Sequence, residues 1–106
     1  MSEIETLKAE IRAFANDRNW EKFHTPKNLS MAVAGEAGEL VAEFQWLTAD
    51  ESQHRALSLE KLSSIELEIA DVAIYLFRLA DVLDVDLAGV MRRKMDINRE
   101  RFEVGN

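Results

Sequence analysis

The sequence predicts an all-α fold, a four-helix bundle formed by a single domain over residues 1–106. Apolar residues recur at spacings of three and four in four separate stretches, which is the period of one face of a helix. Residues that commonly cap helix N-termini precede three of these stretches: Thr25, Ser58 and Asp86. The chain has 106 residues, 47% of them hydrophobic, which supplies one core and leaves no room for a second.

The first helix is expected from about Glu3 to Asp17, and its apolar stripe consists of Ile4, Leu7, Ile11 and Phe14. The connection that follows carries two aromatic residues and a histidine: Trp20, Phe23 and His24. These side chains can simply close one end of the core. They can also form a wall for a planar ligand, because aromatic faces stack on nucleobases.

A second helix is expected from about Pro26 to Leu47, with the proline at its first position. Its apolar stripe consists of Leu29, Val33, Leu40, Phe44 and Leu47. Glu36 falls inside this stripe, and Glu39 and Glu43 lie along its border. A helix on the surface of a monomer would have placed such acidic residues on the opposite face.

The third helix is expected from about Ser58 to Leu83, after a polar connection at residues 50–58. It is apolar on nearly all sides between Ile69 and Ala80, which predicts a helix that is enclosed all round. Full enclosure by three other helices is hard to achieve in a domain this small, so we expect partner subunits to cover part of it. Glu68, Asp71 and Tyr75 share one of its faces.

The fourth helix is expected from about Leu87 to Phe102 and carries the only concentrated positive charge, in Arg92, Arg93 and Lys94. These side chains can be a solvated face near the C-terminal end of a helix, where cations are favoured. Alternatively, Lys94 and Asn98, four residues apart, can reach together for phosphate oxygens.

Two acidic pairs carry the functional prediction: Glu36-Ala37-Gly38-Glu39 and Glu68-Ile69-Ala70-Asp71. A spacing of three places both acids of a pair on one helix face, so two packed helices would bring four carboxylates together. Their repulsion and desolvation require a cation. Oxygen ligands alone favour Mg²⁺ or Mn²⁺, and Mg²⁺ commonly keeps positions for water and phosphate oxygens. A single pair of this kind would more often be a solvated face, but two pairs on largely apolar helices favour a metal site. A ferritin-like di-iron bundle is a competing interpretation, but it needs Glu-x-x-His motifs, which neither pair provides.

The amino-acid composition argues against some classes of binding partner. A formal charge of −7 opposes broad electrostatic binding to nucleic acid or to an anionic membrane surface. The chain has no cysteine, which excludes disulfides and thiolate metal sites. Its acidic start lacks the features of a signal peptide, and no apolar run approaches the length of a membrane span. We therefore expect a soluble, cytoplasmic protein.

The chain resembles the MazG-like all-α nucleoside triphosphate pyrophosphohydrolases, and within them the dCTP pyrophosphatase branch. The resemblance rests on both acidic pairs together with three further segments: Phe23-His24-Thr25-Pro26, Phe44-Gln45-Trp46 and Lys94-Met95-Asp96-Ile97-Asn98. Members of this family hydrolyse the bond between the α- and β-phosphates and assemble as tetramers built from two dimers. The terminal arms are shorter here than in some relatives, so the resemblance does not fix the base.

The resemblance implies a role for each matching residue. The implied Mg²⁺ ligands are Glu36, Glu39, Glu68 and Asp71. Among them, we expect Glu39, or else Glu36, to be the catalytic residue that orients or deprotonates water. The implied nucleotide-binding residues are Trp20, His24, Trp46, Tyr75, Lys94 and Asn98.

The predicted function is the hydrolysis of dCTP or a modified dCTP to the monophosphate and pyrophosphate, a cleansing of the nucleotide pool. One alternative keeps this chemistry and takes dUTP or a damaged purine nucleotide as the substrate. A second alternative is a non-catalytic helical module that binds a nucleotide or a protein partner in the same cleft.

Overall fold

A computed structural model describes residues 2–105, and within this range it contains four α-helices and no β-strand. The helices are α1 (Glu3–Asp17), α2 (Pro26–Phe44), α3 (Leu59–Val82) and α4 (Leu87–Arg101). Single 3₁₀ turns occupy Glu21–Phe23 and His54–Ala56 in the two longer connections. The predicted all-α class is confirmed.

Each α-helix begins at a side chain that accepts a hydrogen bond from a backbone N–H of its first turn. The four capping residues are Ser2, Thr25, Ser58 and Asp86. Such caps satisfy backbone donors that have no partner inside the helix, and each stabilises a helix by about 1 kcal/mol. They explain why the observed helix starts agree with the sequence-based expectations.

Helix α2 ends at Phe44, three residues before the predicted end at Leu47. The Leu47 N–H bonds to the Phe44 carbonyl at 2.9 Å, which is a tight turn rather than a continued helix. Thr48 and Glu51 then bond to each other's backbone N–H groups, at 2.8 and 3.2 Å. This reciprocal arrangement is a capping box, and it holds the chain in a new direction.

The short connection after α1 folds back onto that helix. Asn19 has a positive φ of 58°, and the Trp20 N–H bonds to the Ala15 carbonyl at 3.0 Å. A left-handed residue of this kind ends a helix and reverses the chain. Trp20 consequently lies against Phe14, with ring centroids 5.7 Å apart.

Helix α3 is the centre of the molecule, because it packs along α2 and against α1, whereas α4 makes few contacts with the other helices. The turn between α3 and α4 is held to α1 by the buried Lys8, whose Nζ donates to the Val85 carbonyl at 3.0 Å.

Among the described residues, no helix has the length and apolar content needed to cross a membrane.

The chain by itself leaves much apolar surface in contact with solvent. Large apolar side chains of α3 are exposed, among them Leu67, Ile69, Ile74 and Leu76. The accessible surface is 8215 Å², whereas a compact monomer of 12.1 kDa exposes about 6000 Å². The radius of gyration is 16.7 Å, compared with about 13 Å for a compact domain of this length. The predicted enclosure of α3 is therefore not achieved within one chain.

Candidate metal centre and adjoining cavity

Three of the four predicted metal ligands converge where α2 and α3 face each other. Glu36, Glu68 and Asp71 each offer a carboxylate oxygen, and these oxygens lie within 4.8 Å of one another. Glu68 and Asp71 are one turn apart on α3, so their side chains project in the same direction. Glu36 reaches the same place from α2. We call these three residues the acidic cluster.

One oxygen of the acidic cluster is both hidden from solvent and unpartnered. Glu68 Oε2 is buried and makes no hydrogen bond to the described residues. Desolvation raises the pKa of Glu68 above its ordinary value, and the negative charges of Asp71 and Glu36 raise this pKa further. A buried polar atom without a partner is rare in folded proteins and calls for an explanation. A cation held between the three carboxylates would supply the missing partner.

The acid that completes the predicted set stands slightly apart. Glu39 is exposed on α2 and is not among the three close carboxylates. Its negative charge still contributes to the raised pKa of Glu68, as does that of Glu43. Glu43 has a cation of its own, because the Lys61 Nζ lies 3.0 Å from its carboxylate.

A cavity of about 250 Å³ adjoins the acidic cluster and shares Asp71 with it. Three predicted nucleotide-binding residues line this cavity: Trp20, His24 and Tyr75. The other lining residues are Ile11, Phe14, Ala15, Ile74 and Arg78. Aromatic and apolar walls with a few polar groups suit a small planar ligand.

His24 is held in the cavity wall by a charged residue that the sequence-based site did not include. The Arg78 Nε donates to His24 Nδ1 at 3.0 Å. Burial lowers the pKa of His24, and the positive charge of Arg78 lowers it further, so both effects favour the neutral imidazole. The available signal was a single arginine within the apolar part of α3.

Arg78 belongs to a larger ionic network around Asp81. Its Nη1 lies 3.2 Å from Asp81 Oδ2, and Arg12 on α1 donates to both Asp81 oxygens at 2.8 and 2.6 Å. The hydrogen bond from Arg12 lowers the pKa of Asp81 below its ordinary value of 3.8, despite partial burial. We call Arg12, Asp81 and Arg78 the paired network.

The remaining predicted substrate-binding residues lie outside the cavity of their own chain. Trp46 follows the end of α2 and is 87% exposed. Lys94 and Asn98 are on α4, exposed and partly exposed respectively, and neither lines the cavity. The single chain therefore does not place these three residues in the lining of the cavity.

Comparisons with known proteins agree with this architecture. Residues 32–106 match the MazG-like family. The dCTP pyrophosphatase 1 proteins of Homo sapiens and Bos taurus are 43% and 41% identical to the chain, over 96% and 98% of its length. The chain spans 58% and 60% of the length of these two relatives.

A solved structure supports the relationship over nearly its whole length. The crystal structure of a pyrophosphatase from Archaeoglobus fulgidus is similar with a TM-score of 0.88 and 35% sequence identity. The match covers 98% of this chain and 95% of that one. From the match at residues 32–106 and this structural similarity, we conclude that the chain belongs to the MazG-like family.

Proposed function

We propose that this chain is a nucleoside triphosphate pyrophosphohydrolase that acts on dCTP or a modified dCTP. Water attacks the α-phosphorus, the bond from that phosphorus to the oxygen shared with the β-phosphate breaks, and monophosphate and pyrophosphate leave. One observation carries the proposal: the acidic cluster and the aromatic cavity share Asp71 and therefore lie side by side. The names of the relatives support the same reaction.

The proposed cofactor is Mg²⁺, with Mn²⁺ as a possible substitute. Glu36, Glu68 and Asp71 would hold it, with Glu39 completing the set, because carboxylate oxygens are the ligands that hard cations prefer. The unpartnered Glu68 Oε2 fits such a role. A bound divalent cation would polarise a phosphoryl oxygen and lower the pKa of a bound water.

Glu39 is our first choice for the residue that orients or deprotonates the attacking water, with Glu36 as the second. Glu39 is exposed and stands outside the close group of three, so its carboxylate remains accessible to water. Trp20, His24 and Tyr75 would hold the base, since they line the cavity that begins at Asp71. The nucleotide would then lie with its base in the cavity and its phosphates at the acidic cluster.

We also propose a homotetramer built as a dimer of dimers. The chain exposes about 2000 Å² more than a compact monomer of its mass, which is the area of a stable interface. Apolar grooves beside Leu7, Ile11, Ile74 and Phe77 are suitable contact surfaces. In such an assembly Trp46, Lys94 and Asn98 would complete a site between subunits. Light scattering tests this proposal, and a stable monomer would contradict it.

The decisive experiment is a screen of nucleoside triphosphates with Mg²⁺ and a pyrophosphate readout. We expect dCTP or a modified dCTP to be hydrolysed fastest at equal concentration. A preference for dUTP or a damaged purine nucleotide would keep the reaction and change the substrate. Release of pyrophosphate from none of them would favour a non-catalytic binding module.

A matched pair of variants tests the site itself. Glu39→Gln should abolish turnover and leave the oligomer intact, because it removes one carboxylate of the proposed site without changing side-chain size. Glu66→Gln changes an exposed acid on α3 and should leave turnover unchanged. Full activity of Glu39→Gln would count against its assigned role.

A further inference from the structure

We infer that Arg78 is a positioning residue for His24: it fixes the neutral imidazole with its proton on Nε2, so that the cavity presents a hydrogen-bond donor to the base. This inference rests on the proposed function, because the base is that of the proposed nucleotide. It assigns a role in substrate selection to a residue that lies away from the acidic cluster.

The chemistry of the two side chains determines the tautomer. A guanidinium group has only donors, so the nitrogen that it faces must carry a lone pair. The Arg78 Nε lies 3.0 Å from His24 Nδ1, and Nδ1 is therefore the acceptor. In a neutral imidazole the other nitrogen then bears the proton, which makes His24 Nε2 a donor.

Arg78 is itself fixed, so the arrangement exists before a ligand binds. Its side chain is buried, with 5% of the residue exposed, and its Nη1 contacts Asp81 at 3.2 Å. Asp81 is held in turn by two hydrogen bonds from Arg12. The paired network thus links α1, α3 and the connection that carries His24, and a rotation of Arg78 would leave buried charge without a partner.

The donor on Nε2 is available to a ligand. Within residues 2–105, only Nδ1 of His24 takes part in a side-chain hydrogen bond, and Nε2 is not among the buried unpartnered atoms. The imidazole lines the cavity beside Trp20, with ring centroids 6.0 Å apart. A base stacked in this cavity would meet a donor at its edge.

The Nε2 donor of His24 favours bases that place a hydrogen-bond acceptor opposite it. The carbonyl oxygen and the unprotonated ring nitrogen of cytosine are such acceptors. A base that presents an amino group there would set two donors against each other, and unpaired buried donors reduce affinity strongly. Without Arg78, His24 could exchange the proton between its nitrogens or gain a charge, and this selection would weaken.

The first test reads the tautomer directly by proton–nitrogen correlation NMR of the ligand-free protein. The chain has only two histidines, and the exposed His54 serves as an internal reference. We expect His24 to be neutral at pH 7 with the proton on Nε2. A wild-type spectrum with the proton on Nδ1, or with a charged ring, would overturn the inference. This reading requires no turnover, so it stands apart from a failure of the proposed function.

The second test compares two variants that each remove one arginine from Asp81. Arg78→Met should mix the His24 tautomers and raise KM for the best nucleotide about tenfold, with kcat changed less than about twofold. Arg12→Met is the matched control, since it removes a partner of Asp81 without contacting His24. Because Arg78 keeps its own contacts with Asp81 and His24, Arg12→Met should leave the tautomer in place and change KM less than about twofold. Equal effects of the two variants would mean that the network is only structural.

A double-variant cycle separates positioning from direct contact. His24→Gln keeps an N–H donor at a similar distance from the backbone and does not depend on a protonated ring nitrogen. In the His24→Gln background, Arg78→Met should change KM less than about twofold. The same tenfold increase in that background would show that Arg78 acts without His24, which would overturn the inference.

Discussion

Two groups of charged residues meet at helix α3, and the α3 carboxylates in them have opposite electrostatic surroundings. At the acidic cluster, Glu68 meets only like charges from Asp71 and Glu36, and its pKa is raised. Thirteen residues further along the helix, Asp81 lies between two arginines, and its pKa is lowered by the hydrogen bond from Arg12. The two carboxylates differ in their neighbours more than in their exposure.

The difference separates a candidate cation-binding site from a group of charges that is already paired. Charges that are already paired offset each other's desolvation and need no further component, and removal of one partner is costly. Like charges held together raise the free energy of the folded chain, and either protonation or a bound cation relieves the repulsion. The acidic cluster is therefore the candidate cation site of this molecule, whereas the charges of the paired network already have partners.

The strongest test of this contrast removes the unpartnered carboxylate. Glu68→Gln should reduce pyrophosphate release by about a thousandfold, because a neutral amide holds a divalent cation poorly. It should also raise the melting temperature of the metal-free protein, since repulsion within the cluster falls. Activity assays and thermal melting check both effects. A lower melting temperature of the metal-free variant would contradict the proposed repulsion at Glu68.

The equivalent substitution in the paired network, at Asp81, should make the folded protein less stable. Asp81→Asn should lower the free energy of unfolding by about 3 kcal/mol at pH 7, because Arg78 then remains buried without its carboxylate. Since the folded-state pKa of Asp81 lies below 3.8, its contribution is complete above that pH and is lost as the pH falls through the lowered value. Urea unfolding of both proteins should therefore give curves that converge in acid. A constant difference between pH 7 and pH 2 would contradict this assignment.

Addition of Mg²⁺ distinguishes the two groups without mutation. At a hundredfold excess over Kd, a cation that binds only the folded protein adds about 2.7 kcal/mol of stability. We expect the melting temperature of the wild type and of Asp81→Asn to rise by a similar amount at fixed protein concentration. Glu68→Gln should show little increase. An equal increase in all three proteins would place the cation elsewhere.

The smallest effect is expected at the exposed end of the paired network. Arg12→Met should lower the free energy of unfolding by about 1 kcal/mol, since Arg12 is half exposed and Asp81 keeps Arg78. The loss should shrink at high salt, which screens exposed charges. Urea unfolding at low and high salt measures it. A loss as large as that of Asp81→Asn would mean that Arg12 alone stabilises the carboxylate.

Much of the fold could be predicted because helix signals are local. The spacing of Ile4, Leu7 and Ile11 indicated α1, and the capping residues located the starts of the later helices. The end of α2 was missed because Thr48 and Glu51 form a capping box that redirects the chain. That motif is visible in the sequence, but the apolar Leu47 extended the helical pattern past Phe44.

The candidate site could be predicted only in part. Two acidic pairs on apolar helix faces are a sequence signal, and the structure brings Glu36, Glu68 and Asp71 together. The contact between Arg78 and His24 joins residues 54 positions apart, and no periodicity indicates it. The roles of Trp46, Lys94 and Asn98 remain predictions, because the structure of one chain does not bring them to the cavity.

The sequence by itself determined which segments are helical and which helix faces carry acids, because both follow from the spacing of neighbouring residues. Only the tertiary structure decided which charges meet. Glu68 and Asp81 are acids on the same helix, and whether each faces carboxylates or arginines depends on how α2 and α1 pack around α3. Electrostatic energy depends on distances through space, so the direction of each pKa shift depends on how the helices pack.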